Sequence, residues 1–293
     1  MKTTDRNALI AFPILIVIGA LVALAGSQGG ASVAGIPLFA LSVGMAFIIQ
    51  WIIFIPAYMF QTEKFFDLTG SLTYITITTI ALVFSKRMDV RSILLWALVI
   101  IWASRLGTFL FGRIRKAGKD DRFDEIKPSF IRFLNVWTIQ GLWITFTASA
   151  ALVAITTATR KGLDAFAVIG FLLWIFGFAF EVIADSQKSR FNADPNNKGN
   201  FIQTGLWARS RHPNYFGEIV LWIGIAIIAL PVLRGWQWVA MISPLFVTLL
   251  LTRVSGVPLL EKKADKKWGG QDTYETYKKN TPVLVPRLTK AEK

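Results

Sequence analysis

The chain has 293 residues, of which 54% are hydrophobic and only 17% charged, against about a quarter charged in an ordinary soluble domain. The charges fall in blocks between apolar stretches, so the chain reads as an all-α polytopic membrane protein. It has no cysteine and one histidine, which excludes disulfides, iron–sulfur clusters and Cys-based zinc sites and furnishes no His-rich metal site.

The net charge of +14 suits nucleic acid, but its placement argues otherwise: the excess Lys and Arg sit in connections on one side of a membrane topology. A short basic start, residues 1–7, precedes an apolar stretch, 8–25, about long enough to span a bilayer. Such a start also opens a signal peptide. This stretch is long for that role and another span follows at once, so it is read as a retained first helix. Residues 36–60 form a second span containing Gln50 and Pro56, followed by a polar link, 61–70. A third span, 71–85, is Thr-rich and barely long enough, so the count is eight spans, or seven if it does not cross. Residues 92–112 are the fourth span, and the loop 113–132 carries seven Lys or Arg. Spans at 133–155 and 163–184, a polar loop at 185–213 and spans at 216–233 and 236–252 follow. A charged tail, 253–293, turns at Gly269 and Gly270. With eight crossings the basic connections and both termini share one side, the cytoplasmic one.

Four sets of polar residues are costly where they lie. Arg105 sits inside the fourth span, where an arginine costs at least about 2.5–3.5 kcal/mol on insertion scales; it serves a site or pairs with an acid on a neighbouring helix. Glu181, Asp185 and Lys188, spaced four and three apart and followed by Arg190 and Asn192, share one face if the sixth helix continues. They bind the hydroxyls and amides of a ligand, or form a solvated helix end. The densest set is 199–218, G-N-F-I-Q-T-G-L-W-A-R-S-R-H-P-N-Y-F-G-E. It packs Arg209, Arg211, His212, Asn214, Tyr215 and Glu218 into ten residues at the mouth of an apolar run. Arg, Trp and Tyr suit an interfacial anchor; Asn214 and Glu218 do not. Pro213 fits the first position of a helix, and N–H groups beside it, with Arg209 and Arg211, would form a phosphate-type anion site. The fourth set is Arg253 and Glu261 past the last span, then Tyr274 and Tyr277. Gly-x-Gly-x-x-Gly, the P-loop and Gly-x-Ser-x-Gly are all absent, so a Rossmann unit is excluded. The residues alone therefore describe a membrane enzyme or carrier with a cytoplasm-facing polar cavity that favours an anion.

The runs F-E-V-I-A-D-S-Q-K-S-R-F, G-L-W-A-R-S-R-H-P-N-Y-F-G-E, R-V-S-G-V-P-L-L-E-K and Y-E-T-Y resemble the steroid 5α-reductase family, especially its bacterial branch, over residues 178–286. F-F-D-L-T-G-S-L-T-Y and S-R-L-G-T-F-L-F-G-R resemble the same branch more weakly. R-H-P-N-Y by itself is shared with isoprenylcysteine carboxyl methyltransferases and sterol reductases. The resemblance implies one membrane-embedded reductase domain over 1–293, with spans in 1–132 on the substrate side and 133–293 on the cofactor side. It implies a monomer in the bacterial inner membrane, where the loop charges place both termini in the cytoplasm if there are eight spans; no metal is expected from the composition. The implied activity is NADPH-dependent reduction of the C4–C5 double bond of a 3-oxo-Δ4 steroid or a similar flat lipid enone.

The family's NADPH positions map onto Asp185, Asn192, Asn200, Asn214, Glu218, Arg253 and Glu261. Arg105, Glu181, Lys188, Arg190, Arg211, His212 and Tyr215 join them from the local reading. The chain departs from the animal enzymes at Glu181, at Gly199-Asn200 and at Glu261. The family's substrate-side Glu and Tyr align near Asp67 and Ser104, and Ser104 is no acid. The expected proton donors are therefore Asp67, ranked first, Glu63 and Tyr74. A carboxyl donates only if burial keeps it protonated; a phenol needs no shift. Asp67 alternatively caps a helix beginning near Leu68. Two other readings stand: an S-adenosylmethionine-dependent methyltransferase of the isoprenylcysteine type, and a non-catalytic sterol- or lipid-binding membrane protein.

Overall fold

The computed structural model describes residues 2–86 and 88–287. Arg87, in the basic link before the fourth span, and residues 288–293 of the tail lie outside the described residues. The architecture is all-α, with one two-stranded hairpin, β1 (Ser32–Val33) and β2 (Ile36–Pro37), in antiparallel register Val33↔Ile36. Among the described residues eight helical segments are long and apolar enough to cross a membrane, and the chain is a multi-pass membrane protein.

Packing divides the chain into two compact units, Met1–Val168 with Ile225–Ser243, and Ile169–Gly224 with Pro244–Lys293. The first unit contains α1 (Thr3–Gly26), α2 (Leu38–Met59), α3 (Phe66–Phe84), α4 (Val90–Ala117) and α5 (Phe130–Thr156). Helix α5 is its centre and packs against the other four. Its small residues make this possible: Gly141, Thr145, Ala148, Ser149, Ala150, Ala151 and Ala154 let neighbouring helices approach closely on every side. At Gly141 an added Cβ would stand 3.1 Å from the Phe47 ring of α2. At the end that carries the 113–132 loop, Phe66, Phe123, Phe133 and Trp137 meet edge to face.

The third span is the shortest and least apolar of the eight, as expected, yet it forms a helix of spanning length. Helix α3 starts at Phe66, inside the link expected to be polar, and reaches 19 residues. Its threonines bond back to their own helix, Thr73 Oγ1 to Thr69 O at 2.7 Å and Thr76 Oγ1 to Leu72 O at 2.8 Å, so they enter an apolar layer with their hydroxyls satisfied. Arg91, 1% exposed, ties three segments of this unit together. It pairs with Asp164 at 2.9 Å and donates to the carbonyls of Lys161, Gly162 and Ile228. Burial acts to raise the Asp164 pKa, but Arg91, the Ala167 N–H and Lys161 outweigh it and hold the carboxyl at about 2.

The second unit is built on α6 (Ala165–Ala193) and α7 (Pro213–Ala229), of which it holds all but the first residues of α6 and the last of α7. These helices pack through glycines. A Cβ at Gly177 would lie 2.5 Å from Gly217 O, and one at Gly224 would lie 2.5 Å from Gly170 O, so backbone touches backbone at two levels seven residues apart. The last span departs from the single helix expected at 236–252. It runs as a 3-10 segment (Gly235–Met241), α8 (Ile242–Leu249) and a π-helical turn (Leu250–Val254). Ser255 N–H donates to Leu250 O at 2.9 Å, the five-residue reach that marks a π-turn. The charged tail then folds into α9 (Val257–Trp268) and α10 (Asp272–Asn280), joined at Gly269 and Gly270.

Candidate functional site

The sixth helix does continue, through Ala193, so Glu181, Asp185 and Lys188 share a helix face as their spacing predicts. The glycine crossing then decides what that face meets. A Cβ at Gly217 would stand 2.6 Å from Glu181 N, so α7 lies directly against α6 here. One turn on, Asn214 Nδ2 donates to Asp185 Oδ1 at 3.1 Å. Glu181 is 2% and Asp185 8% exposed, which makes this a buried polar layer rather than a solvated helix end. The Oδ1 of Asn214 is buried with no partner. Glu218 lies one turn further along α7, half-buried.

Helix α7 begins at Pro213, as the sequence indicates, but the N–H groups just before it are not offered to an anion. The tail crosses them: Pro282 O accepts from Arg211 N–H at 2.9 Å and Val283 O from His212 N–H at 3.1 Å. Ser210 Oγ donates to Leu284 O at 2.8 Å and Arg287 N–H to Arg209 O at 3.0 Å. This strap fixes the backbone that aims Arg211 and His212 at Glu261 of α9. Arg211 donates to Glu261 Oε2 and His212 Nε2 meets Oε1, both at 2.7 Å, while the imidazole stacks on Tyr215 at 5.7 Å. The Nε of Arg211 and the Nδ1 of His212 are buried and have no partner. Buried polar atoms ordinarily find one, so the cluster is built with unused bonding capacity.

These side chains face a cavity of about 260 Å³. Six residues expected at a cofactor line it: Lys188, Asn192, Asn200, Arg211, His212 and Glu261. Glu181, Asp185, Asn214 and Glu218 lie in the layer between α6 and α7, and Tyr215 backs the imidazole. Arg190 and Arg253 are exposed and do not line the cavity; the π-turn that carries Arg253 explains why adjacency to the last span misleads. Arg105 belongs to the other unit, on α4, with its guanidinium 5.1 Å from the Phe109 ring.

The rest of the lining is aromatic and only partly expected from the sequence: Tyr274 and Tyr277 stand out in the tail, whereas Phe201, Trp207 and Trp268 beside them do not, and α9 adds Lys263 and Lys267. Aromatics inside an otherwise charged tail were the signal available in the sequence. Burial pushes both tyrosine phenols up, Tyr274 with help from its bond to Asp265, so both stay neutral.

Of the expected donors, Glu63 is 4% exposed and accepts from the Asp120 N–H at 2.8 Å and from Lys127. Burial alone would raise its pKa; Lys127 and the Asp120 N–H overcome that and hold it low. That is an ionised anchor for the 113–132 loop. Asp67 sits in the first turn of α3, whose N-cap is Phe65 with no side-chain cap bond, so Asp67 is not the capping residue; Arg113 lies 3.9 Å away. Tyr74 is 5% exposed and packs edge to face on Trp102 at 5.2 Å. Among the described residues no cluster of His, Asp and Glu is arranged for a metal.

Residues 53–281 match the family described as a protein of unknown function, DUF1295. Among curated proteins, one from Schizosaccharomyces pombe (strain 972), described as uncharacterized, is 25% identical over 228 residues. That match covers 68% of this chain and 64% of the relative, so the chain spans less than two thirds of that protein's length. No solved structure matches.

Proposed function

The chain belongs to the DUF1295 family, and on that premise we propose that it is an NADPH-dependent reductase of the steroid 5α-reductase type, reducing the double bond of a flat lipid enone such as a 3-oxo-Δ4 steroid. One observation carries this reading. Six residues chosen from sequence as cofactor ligands converge on one cavity beside the buried, unpartnered Arg211 Nε and His212 Nδ1. Those atoms fit a polar, anionic ligand with its own hydroxyls and amides: the guanidinium answers phosphate, and the imidazole, held by Glu261, orients ribose or amide groups. Bound NADPH would supply a hydride to the β-carbon of the enone. The chain's own work is then to stabilise the charge that develops on the ketone oxygen and to deliver a proton. Asp67 and Tyr74 are the groups on α3 suited to that, and Glu63, held ionised, is not. The protein is proposed to act as a monomer in a bacterial inner membrane, with the cofactor side and both termini cytoplasmic.

Inverted membrane vesicles containing the protein should oxidise NADPH when a 3-oxo-Δ4 steroid is added, and sealed right-side-out vesicles should not. Trp207 and Trp268 line the cavity, so NADPH should also quench tryptophan fluorescence of the detergent-purified chain. Quenching by S-adenosylmethionine and not by NADPH would replace this reading with the methyltransferase one. Binding of the steroid without any turnover would leave a lipid-binding protein.

A further inference from the structure

We infer that the cavity in the second unit holds the adenosine half of the dinucleotide, with the base against its aromatic wall and the 2′-phosphate on Lys263 and Lys267, so that α9 makes the protein choose NADPH over NADH. This rests on the proposed function. The volume is the first argument. A drug-sized ligand occupies a pocket of roughly 300–1,000 Å³, and a dinucleotide is larger than most such ligands. A cavity of about 260 Å³ holds one half of it.

The wall identifies which half. The Phe201 ring lies 5.7, 5.3 and 5.3 Å from Trp268, Tyr274 and Tyr277. Their polar tips are already used: Trp268 Nε1–H donates to Gly199 O, Tyr274 O–H to Asp265 and Tyr277 O–H to Trp207 O. The rings are therefore fixed and offer the cavity apolar aromatic surface rather than donors, which suits a purine of any hydrogen-bonding pattern. The dihydronicotinamide ring is not aromatic and must meet an apolar enone in a dry site, whereas this wall is built from the polar segment before α7 and the charged helices α9 and α10.

The charges agree. Lys263 and Lys267 are four residues apart on one face of α9, an arrangement that repels itself until an anion arrives. The Lys267 ammonium lies 4.5 Å from the Trp268 ring centroid, beside the proposed base site. The nearby carboxylates are committed, Glu261 to Arg211 and His212, and Asp265 to Lys278 and the Tyr274 hydroxyl. NADH differs from NADPH only in lacking the 2′-phosphate, so these two lysines face the one group that separates the cofactors.

The test uses the detergent-purified full chain and tryptophan quenching. In the wild type, 2′,5′-ADP should displace NADPH and 5′-ADP should do so at least ten-fold less well. Lys263→Ala with Lys267→Ala should weaken NADPH binding about 10- to 100-fold, as expected for lost charged hydrogen bonds, and leave NADH binding within two-fold. Phe201→Leu should weaken both cofactors and 2′,5′-ADP together. Both lysines are exposed, and Lys263→Arg with Lys267→Arg should restore the preference, which separates recognition from folding. If NADPH binds but 2′,5′-ADP does not displace it, or the double alanine variant weakens NADPH and NADH equally, the subsite assignment is overturned while the reductase reading stands. If the wild type binds neither NADPH nor 2′,5′-ADP, both fall.

Discussion

Each unit contains an arginine that is largely buried and paired to a carboxylate, and the two are used in opposite ways. Arg91 engages all three guanidinium nitrogens: Asp164 and three backbone carbonyls accept from it, and it is 1% exposed. Among the described residues the Arg211 guanidinium donates to Glu261 through Nη1, and its Nε is buried without a partner. The carboxylates repeat the contrast. Glu63 of the first unit is saturated by Lys127 and a backbone N–H, whereas Glu261 holds two cavity-lining side chains, each with a buried nitrogen that has no partner. Burial and charge therefore do not mark a site; unspent bonding capacity next to a cavity does.

The contrast breaks most visibly at Arg91. Arg91→Ala removes the buried partner of Asp164 and a donor to three carbonyls, and removing one member of a buried pair costs about 3–5 kcal/mol. The expected outcome is loss of monodisperse protein after detergent extraction, or a large fall in thermal midpoint. A variant as stable as wild type would show that Arg91 is not structural.

Asp67→Asn comes next. It keeps shape and removes the acid. Because Phe65, not Asp67, holds the cap position, stability should change little. Enone reduction should fall about 100-fold or more, as for loss of general acid catalysis, with NADPH affinity unchanged. Full activity in this variant together with an inactive Tyr74→Phe would move the donor to Tyr74.

The smallest effect sharpens the comparison most. Arg211→Ala should leave a folded protein whose NADPH affinity is weaker by about 1.5–3 kcal/mol, the value of one charged hydrogen bond. Arg253→Ala, exposed and outside the cavity lining, should leave affinity within about two-fold, below the roughly 0.5–1.5 kcal/mol of even a neutral hydrogen bond. Equal losses at both positions would mean that the cavity described here is not where the phosphates bind.

Much of this was legible in the residues. Apolar runs of bilayer helix length and blocks of Lys and Arg between them determine a helical multi-pass membrane protein, because hydrocarbon admits only backbone whose polar groups are satisfied internally, and runs of about twenty apolar residues achieve that as helices. The local spacing of Glu181, Asp185 and Lys188 and the Pro213 helix start were readable for the same reason: helix periodicity acts over a few residues. Other features were decided by tertiary structure alone. Whether Arg253 reaches the cavity depended on a π-turn, and whether Arg211 offers its N–H to an anion depended on a strap some seventy residues later. Which aromatics form a wall depended on α9 and α10 folding back on Phe201. In each case the partner is distant in sequence and joined by close packing or a backbone bond, and neither leaves a periodic trace in the residues that it brings together.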